Sequence, residues 1–239
     1  MKSDFYIGRY ALIELFTRAD SMNANLINDV IITNSECITT IFPAWWMFNW
    51  DLDGTNERFE FCDNYNMSLE RMDELCKEIT SLFERKELGY PNTIFNIDTA
   101  RYLYDKYFSF IDRIKLIGIG LEKKEANNYL EYNKPIGENE GELGIYQLLK
   151  KKILIDTSKI IGYEILGCDL GILHSVLCNK LETDIFDKLN MKPNKFGLYD
   201  SYDETLKACK FIREECDAEN ALWQPWIVCE YNLRDRSDK

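Results

Sequence analysis

Reactive side chains stand at chemically useful spacings in two places. Asp51 and Asp53 follow the apolar run Ile41-Phe-Pro-Ala-Trp-Trp-Met-Phe-Asn-Trp50. Alternate residues beyond a strand end can turn both carboxylates into one crevice, where a magnesium ion offsets their repulsion. His174, the single histidine, and Cys178 stand four residues apart, with Cys168 nearby. On a helix that spacing puts imidazole and thiol on one face, where they can hold zinc or let the histidine activate the sulfur. The ligand set for zinc is incomplete, and a single histidine in an apolar helix reads first as a packed, hydrogen-bonded side chain, so no metal site is expected there. Ser175 adjoins His174, but no Gly-x-Ser-x-Gly elbow accompanies it, which leaves a serine triad unsupported.

Asp51-Leu-Asp-Gly-Thr55 resembles the first motif of the haloacid-dehalogenase-like phosphohydrolases. The resemblance implies a magnesium-dependent reaction in which Asp51 attacks phosphorus and Asp53 works as acid and base. Asp169, in Gly167-Cys-Asp169, would complete the metal site. The sequence departs from that family's pattern in three respects. Asn56 follows the threonine where an apolar residue is usual, the motif lies well inside the chain rather than on a first strand, and Asp169 lacks a second aspartate. Taken by itself, Asp-Gly between apolar residues is turn chemistry. The phosphohydrolase is therefore the alternative to a non-catalytic protein without a cofactor.

A chain of 239 residues, 46% of them hydrophobic, can bury a large core as a single domain or two closely packed halves. No run of eighteen apolar residues occurs, and the start Met-Lys-Ser-Asp-Phe lacks the apolar core of a secretory signal. The cytoplasm is the expected compartment. The eight cysteines include no Cys-x-x-Cys pair and read as reduced, mostly buried small residues. The net charge of −12 is unevenly spread: eleven acids stand against five bases between Asp51 and Leu88, and seven against three between Tyr199 and Asn220. Such a field repels nucleic acid and anionic lipid and attracts a basic protein, so neither nucleic acid nor membrane is an expected partner.

The elements that must position these groups mix strand and helix patterns without strict alternation. They point to an α+β fold, a mixed β-sheet flanked by helices, with an α/β three-layer sandwich as the alternative. Phe5 to Phe16, apolar on both alternating faces, predicts a buried strand. Cys37 to Phe42 and Arg58 to Cys62 predict two more, the second from its alternation. Leu69, Met72, Leu75, Cys76, Ile79, Leu82 and Phe83 recur at helical spacing, with Ser68 as N-cap and Gly89 and Pro91 as stop. A helix is expected from Thr99 to Ile114 behind Asp98, with Tyr102, Tyr104, Phe108 and Ile111 mainly inward. Lys115 to Leu121 reads as a strand whose Gly118 and Gly120 mark close packing or a bulge rather than a nucleotide loop.

After a polar loop at 137–142, Leu143 to Lys152 predicts a short helix with lysines at its negative end. A strand is expected from Lys159 to Leu166, turning at Gly167. Leu173, Leu177, Leu181, Ile185 and Leu189 recur every four residues and predict helix in the second half at least of the stretch from Ile172 to Leu189. Ser201-x-x-Glu204 is a capping box that opens another helix, and Trp226 to Leu233 a final strand before a charged, disordered tail.

Three stretches, Gly162-Tyr-Glu-Ile-Leu-Gly167, His174-Ser-Val-Leu-Cys-Asn179 and Leu222-Trp-Gln-Pro-Trp-Ile-Val-Cys-Glu-Tyr231, together with Pro43-Ala-Trp-Trp46, resemble recurrent stretches in uncharacterised intracellular bacterial proteins. Some of those act as immunity proteins to secreted toxins. The resemblance supplies no catalytic residues, and it implies direct binding of a toxin, in keeping with the acidic charge. On this reading Trp45, Trp46 and Trp50 are the aromatic anchors of a partner-binding face. Asp51, Asp53, Glu57, Glu60, Glu70, Asp73 and Glu74 steer a basic partner toward it. A small-molecule pocket between the tryptophan-rich stretches, without catalysis, is a third expectation.

Overall fold

The computed structural model describes residues 4–17, 30–36, 56–90, 93–135, 144–169 and 171–234. The strand expected from Cys37 to Phe42, the polar loop at 137–142 and the tail beyond 234 lie outside the described residues. In chain order the strands are β1 (Phe5–Glu14), β2 (Phe16–Thr17), β3 (Val30–Ile31), β4 (Leu88–Gly89), β5 (Thr93–Ile94), β6 (Ile114–Glu122), β7 (Ile160–Asp169), β8 (Ile172–Ser175) and β9 (Leu222–Tyr231). The α-helices are α1 (Asn56–Asn64), α2 (Leu69–Glu84), α3 (Ile97–Leu103), α4 (Lys123–Tyr132), α5 (Gly144–Lys151), α6 (Glu182–Leu189) and α7 (Tyr202–Glu215).

Seven strands form one sheet in the order β4-β5-β1-β6-β9-β7-β8, and β2 pairs with β3 apart from it. The fold class is α+β. Mixed strand directions were expected, but every pairing in the sheet is antiparallel. Successive side chains of a strand point to opposite faces, and β9 sorts the core accordingly. Its Ile227, Cys229 and Tyr231 join α1, α2 and α3 on one face, and Trp223 meets α6 and α7 at the β7 end of the sheet. Trp226 and Val228 pack on the opposite face under α4 and α5. Pro225 sits inside this strand, where it cannot donate to a ladder. It is tolerated because the β6 pairing ends at Gly120 and Ile227, leaving this part of β9 paired to β7 only.

Gly8 performs a specific task in β1. The register with β6 shifts between Ile7 and Arg9, so Gly8 is a bulge that reverses which residues face which side. A Cβ there would lie 2.7 Å from Cζ3 of Trp226. Phe5, Ile7 and Leu12 therefore share one face, whereas Ala11 and Ile13 share the other. Gly118 fulfils the close-packing expectation: a Cβ would sit 2.8 Å from the Tyr231 ring.

Local signals were obeyed where they were chemically specific. Ser68 accepts from Arg71 N and opens α2, and Ser201 accepts from Glu204 N and opens α7. Three expectations are overturned. Arg58 to Cys62 is helix, because Phe61, Cys62 and Tyr65 gather on one side of α1 and its continuation, with Phe61 and Tyr65 ring centroids 4.7 Å apart, while Phe59 is left exposed. The cap of α3 is Asn96, whose side chain accepts from Thr99 N at 2.8 Å, and Asp98 lies in the first turn. A π-turn follows from Tyr104 to Phe108 and buries Tyr107, while Tyr102, ahead of it on α3, is exposed with its hydroxyl donating to Glu78. Finally, Ile172 to Ser175 is strand. The turn lies at Gly171, at φ +88°, beyond the expected Gly167, and the helix expected in the second half of that stretch is present as α6.

No helix among the described residues is long and apolar enough to cross a membrane. No disulfide joins any of the seven described cysteines. All eight cysteines of the chain should therefore titrate as thiols in denaturant without reductant, a count that a thiol-reactive chromophore reads directly. A shortfall of two would reveal a disulfide.

Candidate functional site

Trp45, Trp46, Trp50, Asp51 and Asp53 lie outside the described residues, so neither the carboxylate crevice nor the aromatic anchors are placed. Glu57 and Glu60 fall on α1. Asp169 ends β7 as an exposed residue. Glu70, Asp73 and Glu74 are exposed on α2, whose Met72, Leu75, Ile79 and Leu82 are buried in the core. The acidic face is thus carried by a rigid element. It is partly compensated by bases: Arg71 reaches Glu74 at 3.1 Å, and Lys106 reaches Glu78 at 2.8 Å, holding the Glu78 carboxyl below its usual range.

The second cluster was legible only in part. His174 and Cys178 do meet, but as a strand residue and a turn residue. His174 is on β8, and the chain turns directly after it because Ser175 Oγ accepts from Leu177 N and Cys178 N. That use of Ser175 gives it a turn-forming role. Cys168, expected near the histidine, is buried and bonded to the Tyr129 hydroxyl at 3.3 Å. The third member is Glu219, from the segment leading into β9. His174 Nδ1 lies 2.7 Å from Glu219 Oε2. Asn179 clasps the same residue, donating to Glu219 Oε2 at 3.1 Å and accepting from Glu219 N at 3.1 Å. One ligand-type atom each of His174, Cys178 and Glu219 lies within 4.8 Å of the others.

Several donors converge on the Cys178 sulfur. Ser175 N lies at 3.2 Å, Asn179 Nδ2 at 3.5 Å and Ser35 Oγ at 3.7 Å, and His174 is also hydrogen-bonded to it. Burial alone would push this thiol up, but the bonds from His174, Ser35 and Ser175 outweigh it and bring it below its ordinary value. The bond to Cys178 raises His174 above the usual histidine value, against partial burial and with help from the Glu219 charge. Both shifts favour a thiolate beside an imidazolium.

Behind this cluster lies a buried polar network that sequence reading missed. Arg9 forms an ion pair with Glu36 and donates to Asn34 O at 2.6 Å. Glu36 also accepts from Leu173 N, one residue before His174. The Glu164 carboxylate accepts from Thr33 Oγ1 at 2.7 Å, Asn34 Nδ2 at 2.8 Å and Asn34 N at 3.0 Å. Desolvation raises both carboxyls, with Arg9 acting against the rise in each. A signal was present: Arg9 is the only charge between Phe5 and Ile13, and Glu164 the only one between Ile160 and Leu166. Opposite lone charges in two buried strands imply partners.

A surface cleft of about 500 Å³ is lined by Ile160, Ile161, Gly162, Asn194, Lys195, Phe196 and Asp200. Asn194 is committed to the surrounding loop, donating to Ile161 O and accepting from Phe196 N and Leu198 N. No protein-family model, curated protein or solved structure matches the chain.

Proposed function

We propose that the protein is an acidic, non-catalytic binding module that captures a basic protein partner in the bacterial cytoplasm, in the manner of an immunity protein neutralising a toxin. The observation that carries this reading is the α2 face. Glu70, Asp73 and Glu74 are exposed on a helix whose opposite stripe is locked into the core, in a chain of net charge −12. A fixed array of carboxylates accelerates encounter with a positive surface, and salt removes the effect beyond a screening distance of roughly 8 Å. Three of the stretches behind the resemblance to immunity-type proteins occupy the adjacent strands β9, β7 and β8, including the turn after β8, and so belong to one region of the fold. This supports treating the likeness as a property of that region.

The test uses the purified product of the neighbouring gene as partner and measures association at two salt concentrations. The on-rate should fall as salt rises. Combining Glu70→Lys, Asp73→Lys and Glu74→Lys should lower it about tenfold or more, with thermal stability nearly unchanged because the positions are exposed. A salt-independent on-rate, untouched by the triple reversal, would refute the acidic face. Magnesium-dependent hydrolysis of an aryl phosphate, lost in Asp51→Asn, would replace the reading with the phosphohydrolase.

A further inference from the structure

We propose that Cys178, His174 and Glu219 form a thiolate–imidazolium–carboxylate relay that makes Cys178 a nucleophile toward peroxides, a chemistry independent of partner binding. The geometry follows the general arrangement of an activated nucleophile: a thiol within reach of a base, and the base oriented by a third group. Glu219 Oε2, 2.7 Å from His174 Nδ1, holds the imidazole in place, and an imidazole nitrogen, the Cys178 sulfur and a Glu219 oxygen all lie within 4.8 Å of one another. The carboxylate is itself held by Asn179, so Glu219 is a positioning residue. The Ser175 N–H and the Asn179 amide point donors at the sulfur and stabilise an anion there, against the Ser175 carbonyl oxygen 3.1 Å away, to which the protonated thiol donates.

The same three residues offer a nitrogen, a sulfur and an oxygen that together suit a metal. Three converging donors are the minimum that zinc accepts, and the experiment below distinguishes a metal centre from a free thiolate.

The step balances without further groups. The Cys178 thiolate attacks one peroxide oxygen, an S–O bond forms and the O–O bond breaks. The departing hydroxide takes the His174 proton and leaves as water. Sulfur is oxidised to the sulfenic acid, which keeps the proton of the attacked oxygen, and the peroxide is reduced. The other cysteines supply internal controls. Cys62, Cys168, Cys209 and Cys229 are buried, and burial pushes Cys168 and Cys229 up to about 12. Cys76 and Cys216 are partly exposed like Cys178 but stand outside the cluster.

The full chain is treated with hydrogen peroxide across a pH series, the sulfenate is trapped with dimedone, and each cysteine is read by peptide mass spectrometry. Cys178 should be trapped at least about tenfold faster than Cys76 and Cys216, as expected of a pre-formed thiolate. His174→Gln should abolish that preference. Glu219→Gln, at a half-exposed position whose loss the fold tolerates, should slow the reaction severalfold and move its pH midpoint upward, because the imidazolium loses its counter-charge. If His174→Gln fails to fold, the Glu219→Gln pH profile decides. Equal rates at Cys178, Cys76 and Cys216 would overturn the proposal, as would a Glu219→Gln profile identical to that of the parent. Co-purified zinc that blocks trapping until it is chelated would overturn it in favour of a metal centre.

Discussion

Arg9→Met is expected to destabilise the protein by about 3–5 kcal/mol, the cost typical of removing one partner from a buried ion pair. Arg9 is 1% exposed, and its loss strands the buried Glu36 and Glu164 carboxyls without their cation. The pH dependence distinguishes this cause from lost packing. Both carboxyls have folded pKa values raised by burial, despite Arg9. A group raised in this way supports the fold fully only below its unfolded value, and the support is lost as pH rises through the folded value. Removing Arg9 raises both further. The deficit relative to the parent should therefore be largest at neutral pH and shrink as the pH falls into the carboxylate range. Adding Glu36→Gln should recover part of it at neutral pH. Urea unfolding of the parent and both variants, at neutral pH and in mild acid, reads all of this. A pH-independent deficit would mean that Arg9 matters through its volume.

The second large effect is Trp226→Ala, with an expected cost of about 3–5 kcal/mol. The side chain is fully buried, stands edge-on to Tyr129 at 5.7 Å with the rings perpendicular, and covers the Gly8 bulge. Removing it leaves a cavity bordered by strand backbone, which cannot collapse into the space. The indole Nε1 has no hydrogen-bond partner among the described residues. Trp226→Phe should accordingly retain most of the stability, since no bond is lost with the N–H. Thermal melts compare the two variants. Equal losses would show that the N–H is bonded after all.

What the sequence revealed divides along the range of the interactions. The α2 stripe and the caps at Ser68 and Ser201 involve residues within a turn or two of one another, and they were legible. Alternation over five residues from Arg58 misled, because helical packing of Phe61 against Tyr65 decides α1. The four-residue leucine repeat after Ile172 marked the helix of its second half, α6, but its first member, Leu173, falls on β8, because the Gly171 turn folds that part back onto β7. In the thiol cluster the near pair, His174 and Cys178, could be singled out from spacing, although on the wrong element. Glu219 could not, since only the pairing of β7 with both β8 and β9 brings its segment alongside. Arg9, Glu36 and Glu164 depend on the same kind of distant register. Their isolation among apolar neighbours was the only local trace.

The position of β9 carries a consequence for how the molecule is made. It enters between β6 and β7, each of which has, among the described residues, one other neighbour in the sheet, β1 and β8 respectively. During synthesis β6 emerges roughly a hundred residues ahead of β9, an interval of about 5–20 s at ordinary translation rates. From the emergence of β7 until that of β9, two long apolar strands each hold a bare edge of the kind that recruits other chains. The nascent protein is therefore two unfinished half-sheets, joined only when the Trp- and Pro-bearing strand arrives. Its need for chaperone protection should peak just before that strand leaves the ribosome.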